Sequence, residues 1–459
     1  MNTKQQIQNV INGQKYFFAE GHTRSVDFRL NVLRTILAAI DEYESRILEA
    51  LKQDLGKSAF EGYTTEIGMV KSELKYHIKH IRSLSGGKRK FTTVVNFPSS
   101  GLLMPEPYGM VLIVSPWNYP FHLSILPLVG AIAAGNTVIL KLSEDAPATA
   151  DVIERMFFEH VQSELVSVFT GGYEMNAALF TQEFDYIFFT GSPALGKVVM
   201  EHAARNLTPV TLELGGKSPC IVDKDAKLTI AARRIVFGKL LNCGQTCVAP
   251  DYLLVQSSVK QQLLDCIQQS IKDAYGTDVK NNLDYPRIVN EKHFDRLVKL
   301  VEGERIVMGG QSNRDSLFIE PTLLDSPSEN AGVMKEEIFG PILPVITYEN
   351  ISEAIAFINN RPKPLALYLF SENRNIRKQV LAQTSSGGVC INDTIMQMVA
   401  HSLPFGGVGS SGMGRYHGKY SFETFSHYKT ILKKSTKIDI PLRYAPFNKS
   451  LGLVRRFLG

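Results

Sequence analysis

From Gly109 onward the chain alternates short β-rich runs with helical segments, and this alternation restricts the fold more than any other feature. The β-rich runs fall at residues 110–114, 137–140, 167–169, 186–189, 210–214 and 219–222, with helical patterns at 125–134, 148–160 and 175–180 between them. Strand–helix alternation of this kind predicts a parallel sheet covered on both faces. Such sheets bind ligands outside the carboxyl ends of their strands. After Leu228 further helices lead into β-rich runs at 343–348, 365–370 and 388–392, which predicts a second α/β unit. The fold class is therefore α/β.

The first 85 or so residues read as helices. Leu33, Ile36, Leu37, Ile40, Ile47, Leu48 and Leu51 recur at helical spacing, and a second helix is expected over 65–84, broken by Ser85-Gly86-Gly87. Residues 91–104 read as strands or an extended arm, and the alternation of Ile431, Ile438, Ile440 and Leu442 as an edge strand or arm. No stretch reaches the ~18 apolar residues of a membrane span, and the N-terminus has no basic patch followed by an apolar run, so no secretory signal is read. Five scattered cysteines suit a reducing cytoplasm rather than a disulfide framework. The net charge of +5 is concentrated in residues 430–459, where seven Lys/Arg face one Asp, leaving the rest at −1. That excludes a nucleic-acid protein with a broad basic face.

Four segments carry residues suited to chemistry. Thr190-Gly191-Ser192-Pro193-Ala194-Leu195-Gly196-Lys197 follows a strong strand, with Ser192 as N-cap and Pro193 as first helical residue. It is either an anion site at a helix N-terminus or a structural turn. A P-loop reading fails at Val198, where magnesium needs Ser or Thr, and Gly216-Lys217-Ser218 fails because Thr211 replaces the first glycine. Cys247, in Asn242-Cys243-Gly244-Gln245-Thr246-Cys247, is a nucleophile or a buried small hydrophobe. Cys243 and Cys247 lack the further ligands that zinc needs, so no metal is expected. Glu213, ending an apolar run, is a paired structural acid or a base raised by burial. Asn118, between Pro116 and Pro120, is an oxyanion donor or the cap of its own turn.

Taken together, PWNYPF (116–121), FTGSPALGK (189–197), LELGGKSP (212–219), NCGQTC (242–247), EEIFGP (336–341) and the glycine-rich run 403–427 resemble the aldehyde dehydrogenase superfamily, in that family's order and across most of the chain. The short N-terminus, NCGQTC and SGMGRYHGKYSF resemble its class 3 or fatty-aldehyde branch. The resemblance implies a Rossmann-like NAD(P)-binding domain (1–84 and 107–213), a catalytic α/β domain (214–424), a bridging arm that pairs subunits (85–106 and 425–446) and a basic amphipathic tail (447–459). It implies that Cys247 is the nucleophile, Glu213 the base that hydrolyses the thioester and Asn118 a donor to the oxyanion. Lys141, Glu144, Gly191, Ser192, Gly196, Glu337 and Phe339 would hold the cofactor. Glu144 disfavours a 2′-phosphate by charge, so NAD is expected, with NADP accepted by class 3 relatives. The family usually has proline where Leu142 stands, for which a small backbone change is expected.

The branch implies an apolar aldehyde, medium- or long-chain fatty, aromatic, isoprenoid or carotenoid. Tyr119, Phe121, Met396 and Met398 are candidates for its lining or for ordinary core. Cys243 is a spectator by resemblance, with a protective disulfide to Cys247 as a further expectation. A homodimer is expected. The tail either rests on anionic lipid at the inner membrane face, packs on the partner subunit, or is frayed. Three other readings compete: an enzyme passing the acyl group to coenzyme A, a non-catalytic binding or structural protein on the same fold, and a cysteine hydrolase in which a histidine activates Cys247.

Overall fold

A computed structural model describes residues 3–93, 96–439, 444–447, 451–452 and 455. The β-rich runs of the first half form a six-stranded sheet. Its order is Gly412–Met413, Val210–Leu214, Tyr186–Gly191, Met110–Val114, Thr137–Lys141, Val166–Phe169. All its pairings are parallel except the first, in which Gly412 and Met413 run antiparallel to Glu213 and Leu212. Met110–Val114 and Thr137–Lys141 are buried along their whole length, because helices cover both faces and leave no side chain facing water.

A seven-stranded sheet follows, in the order Ile306–Met308, Thr322–Asp325, Ile342–Tyr348, Tyr252–Gln256, Pro219–Val222, Ala366–Phe370, Gly388–Ile391. Only Ile306–Met308 is antiparallel. The run at 219–222 thus belongs to this second sheet, although in sequence it closes the first series of strands. In the opposite direction, 412–413 crosses back to the first sheet, a return that the glycine-rich sequence did not announce. Gly412 is required there: its φ is +139°, and a Cβ would lie 2.1 Å from the Leu212 carbonyl oxygen.

The N-terminal helices form as their apolar spacing dictates. Val26–Leu55 buries Leu33, Ile36, Ile40, Ile47 and Leu51 and is capped by Ser25 and by Gly56 at φ 68°. Gly68–Ser85 ends at the predicted break, but a π-helical turn, Tyr63–Ile67, precedes it. The arm is a three-stranded antiparallel sheet in which Ser99–Pro107 pairs with Lys88–Lys90 and, over nine residues, with Ser426–Lys434. Ile440 and Leu442 lie outside the described residues, as do 448–450, 453–454 and 456–459 of the tail. Among the described residues, no helix is long and apolar enough to cross a membrane.

One buried ion pair joins the helical region to the first sheet's loops. Lys57 Nζ meets Glu66 Oε1 at 2.5 Å, both side chains wholly buried, and Glu66 Oε2 accepts from the backbone N–H groups of Phe121 and His122 at 2.9 Å. Those two N–H groups open the helix His122–Ala134, where a carboxylate also meets the positive end of the helix dipole. Glu66→Ala would strand the Lys57 ammonium, so unfolding in urea should show a loss of about 3–5 kcal/mol. A loss below about 1 kcal/mol would contradict the assigned role.

Candidate active site

The strand Tyr186–Gly191 delivers Thr190 and Gly191 to its carboxyl end, and Ser192 turns the chain into the helix Pro193–Arg205 by accepting from Leu195 N at 3.4 Å. This helix packs tightly on its neighbour, since a Cβ on Gly196 would lie 2.7 Å from the Leu214 side chain. Its N-terminal N–H groups stand at a strand end, as an anion site requires. The Thr190 hydroxyl is buried there without a hydrogen-bond partner. Two strands along the same sheet, at the end of Thr137–Lys141, Lys141 is buried, and burial lowers the pKa of its ammonium against the pull of Glu144 and Asp145. The exposed Glu144 lies across Gly172, where a Cβ would come within 2.0 Å of its carboxylate. The Leu142 N–H donates to the Phe169 carbonyl at 2.9 Å, a bond that proline could not make. This donor set fits a dinucleotide: helix N–H groups and Ser192 could hold a pyrophosphate, and Lys141 and Glu144 could hold a ribose.

Cys247 and Glu213 come together on one cavity of about 650 Å³. Glu213 ends the strand Val210–Leu214 beside Thr190 in register, buried, and neither carboxylate oxygen has a hydrogen-bond partner. Burial alone holds its carboxyl well above the usual carboxylate range. The Cys247 thiol is pushed up first by burial, then by Glu337 and Glu213, while its own backbone N–H and that of Val248 pull the other way. The rest of the lining is mostly apolar, including Phe60, Leu123, Phe237, Met396 and Met398. Tyr119 lines it too, but its hydroxyl bonds the Thr246 hydroxyl at 2.7 Å, next to Cys247. Phe121, grouped with these in the sequence reading, is fully buried in the core instead, because the chain has by then turned into the helix that follows.

Asn118 is buried and does not line the cavity. Its Nδ2 donates to the Gln245 carbonyl at 3.0 Å, which occupies one of its two N–H donors. Its own carbonyl accepts from Asn242 Nδ2 at 2.7 Å and from Lys57 Nζ at 3.3 Å. Glu337 and Phe339 do not line the apolar cavity. Glu337 lies against Gly215, where a Cβ would meet its carboxylate at 1.9 Å, and burial and Asp251 push its carboxyl up to about 8, opposed by the Gly216 N–H. Phe339 stands edge-on to Trp117 at 5.4 Å. Lys217 braces this loop through Asp251 at 2.7 Å and the Val333 and Glu336 carbonyls. Cys243 is fully buried, its sulfur 3.5 Å from the Tyr285 hydroxyl, and it does not line the cavity.

Two features of the site escaped the sequence reading, Glu61 and the Lys57–Glu66 pair. Both come from the N-terminal helical region, Lys57 from the connection after Val26–Leu55, and no local pattern links them to the motifs they touch.

The aldehyde dehydrogenase family model matches residues 1–431. The chain is 48% identical over 453 residues to a Staphylococcus aureus 4,4'-diaponeurosporen-aldehyde dehydrogenase, covering 98% of this chain and 99% of that one. It is 46% identical over 435 residues to rat aldehyde dehydrogenase family 3 member A2, covering 94% and 90%. A solved structure described as the substrate-bound state of Staphylococcus aureus AldH superposes with a TM-score of 0.97 at 47% identity, covering 99% of each chain. A strand-end dinucleotide cradle, a thiol and an unpaired carboxylate on one apolar cavity, and these relatives agree: the chain belongs to the aldehyde dehydrogenase family, in its class 3 branch.

Proposed function

We propose that the chain oxidises apolar aldehydes to carboxylates with NAD(P), using Cys247 as nucleophile, Glu213 as base and Asn118 as oxyanion donor. The observation that carries this reading is the pairing of Cys247 with an unpartnered, buried Glu213 on a mostly apolar cavity. The Cys247 thiol releases its proton to water, the resulting thiolate sulfur adds to the aldehyde carbon, and the free N–H of Asn118 and the Cys247 backbone N–H receive the negative oxygen. One such donor is worth ~3 kcal/mol in other enzymes. NAD(P), held by the residues named below, would supply the acceptor for the aldehydic hydride, and loss of that hydride leaves the acyl group on Cys247 as a thioester. Glu213 then takes a proton from water, whose oxygen attacks the thioester carbon, and the carboxylate leaves as the thiol is restored.

Gly191, Ser192 and the N–H groups that open the helix after them would hold the pyrophosphate, with Gly196 permitting close packing of that helix. Lys141 and Glu144 would hold the adenosine ribose, and Glu337 and Phe339 the nicotinamide end. The same reading assigns residues 1–84 and 107–213 to the cofactor half, 214–424 to the catalytic half, and 85–106 with 425–446 to pairing between two copies. The match to a relative whose name specifies a diaponeurosporene aldehyde, and to a family 3 member, supports fatty or carotenoid aldehydes as substrates.

NADH formation should be measured with straight-chain aldehydes of increasing length. A cavity of this lining predicts that kcat/KM rises about fourfold per added methylene until the cavity is filled, from ~0.8 kcal/mol per buried CH₂. Cys247→Ala should lose at least about 10⁴-fold. A flat length series, or an active Cys247→Ala, would contradict the reading.

Iodoacetamide reacts with the thiolate, so its rate reports the Cys247 ionisation. Burial, Glu337 and Glu213 all disfavour the thiolate. In the cofactor-free enzyme the labelling rate should therefore still be climbing above pH 9. Glu213→Gln removes one opposing carboxylate and should shift the profile to lower pH. A plateau reached below pH 8 would contradict the assigned electrostatics.

A further inference from the structure

The three residues Asn242, Cys243 and Gly244 all lie in the left-handed backbone region, with φ of 52°, 55° and 75°. Two of them carry side chains, so this turn does not hold itself and needs partners that fix it. It ends three residues before Cys247 and packs against the EEIFGP loop, since a Cβ on Gly244 would lie 2.3 Å from the Gly340 carbonyl oxygen.

At the first residue of this turn the Asn242 backbone N–H donates to Glu61 Oε1 at 2.7 Å. Glu61 comes from the short helix Ala59–Gly62, 181 residues away in sequence. That helix is itself pinned. The Ser58 hydroxyl accepts from Glu61 N at 3.3 Å, and the Thr65 hydroxyl donates to the Glu61 carbonyl at 2.7 Å. Glu61 is buried and lines the same cavity as Cys247. Burial there raises its carboxyl to about 7, Lys57 and the Asn242 N–H draw it down, and Glu66 and Asp284 raise it further. A buried carboxyl is costly in a mostly apolar wall, and a substrate chain would gain more from a methylene in its place. The feature that offsets this cost is the hydrogen bond to the turn.

Resting on the reading of Cys247 as nucleophile, we propose that Glu61 is a positioning residue: its carboxylate anchors the Asn242 N–H and, through the left-handed turn, sets the aim of the Cys247 thiol. Glu61 does not touch the reacting atoms, and its effect reaches them through the backbone from 242 to 247.

The test compares wild type, Glu61→Ala, Glu61→Gln and Cys247→Ala for kcat and KM with a long-chain aldehyde and NAD, and for the rate of iodoacetamide labelling at Cys247, read by peptide mass. Glutamine keeps an acceptor oxygen for Asn242, and alanine does not. Glu61→Ala should lose on the order of 100-fold in kcat with KM within about twofold, the scale of a small misplacement of a reacting group. Its Cys247 labelling rate should change in parallel, and Glu61→Gln should restore kcat to within about threefold of wild type. Wild-type kcat and labelling in a folded Glu61→Ala overturn the proposal. So does a Glu61→Gln as impaired as the alanine variant, because the acceptor is then not what matters. An active Cys247→Ala overturns the underlying nucleophile reading instead, whatever the Glu61 variants do.

Discussion

The site depends on a backbone turn that apolar packing would not select. Left-handed conformations at Asn242 and Cys243 cost on the order of 1–3 kcal/mol each, so the chain keeps them only where polar partners over-determine the local geometry. Those partners are on hand. Asn242 Nδ2 donates to the carbonyls of Asn118 and Gln245, Gln245 Nε2 donates to the carbonyls of Asn242 and Arg287, and Gln245 Oε1 accepts from Val289 N. All but the part-buried bond to Arg287 are removed from water, and each of those, if missing, would leave a buried polar atom unpaired. The network therefore makes one arrangement of the loop that leads to Cys247 far more favourable than its neighbours.

Within that frame the electrostatics run against a charged resting state. The Glu213 carboxyl and the Cys247 thiol are both held toward their neutral forms by burial, and each carboxylate near the sulfur adds to the cost of a thiolate. A neutral thiol is protected from adventitious oxidants and alkylating agents. Burial with no hydrogen-bond partner on either oxygen raises the Glu213 carboxyl above the usual carboxylate range, and the proposed role as base calls for its ionised form. Cys243 is buried against Tyr285 rather than on the cavity, so a direct route from the cavity to a Cys243–Cys247 disulfide is not built into this arrangement.

Much of the fold was legible because buried parallel strands read as unbroken apolar runs and helices as 3.6-residue stripes. Residues 110–114 and 210–214 match their strands to the residue. What could not be read was membership. The run at 219–222 looks like its predecessors yet joins the other sheet, and the two-residue strand at Gly412 has no apolar signature at all. In the site, the motifs located Cys247 and Glu213, and the structure brings both to one cavity. Phe121, for which lining and core were both open, falls in the core, since a loop's neighbouring residues can face opposite ways. Glu61 and the Lys57–Glu66 pair were invisible because their meaning lies in partners up to 181 residues distant, and charge in an N-terminal helix reads as solvated surface until those partners are known.

The central claim is that Cys247 carries the acyl group and Glu213 releases it. The most direct measurement is the intact and peptide mass of Glu213→Gln after mixing with NAD and a long-chain aldehyde. The account predicts one NADH per site in a rapid burst, followed by slow turnover, with the acyl mass found on the peptide that contains Cys247. A variant that turns over at the wild-type rate with no acyl adduct, or an adduct on a different residue, would contradict it.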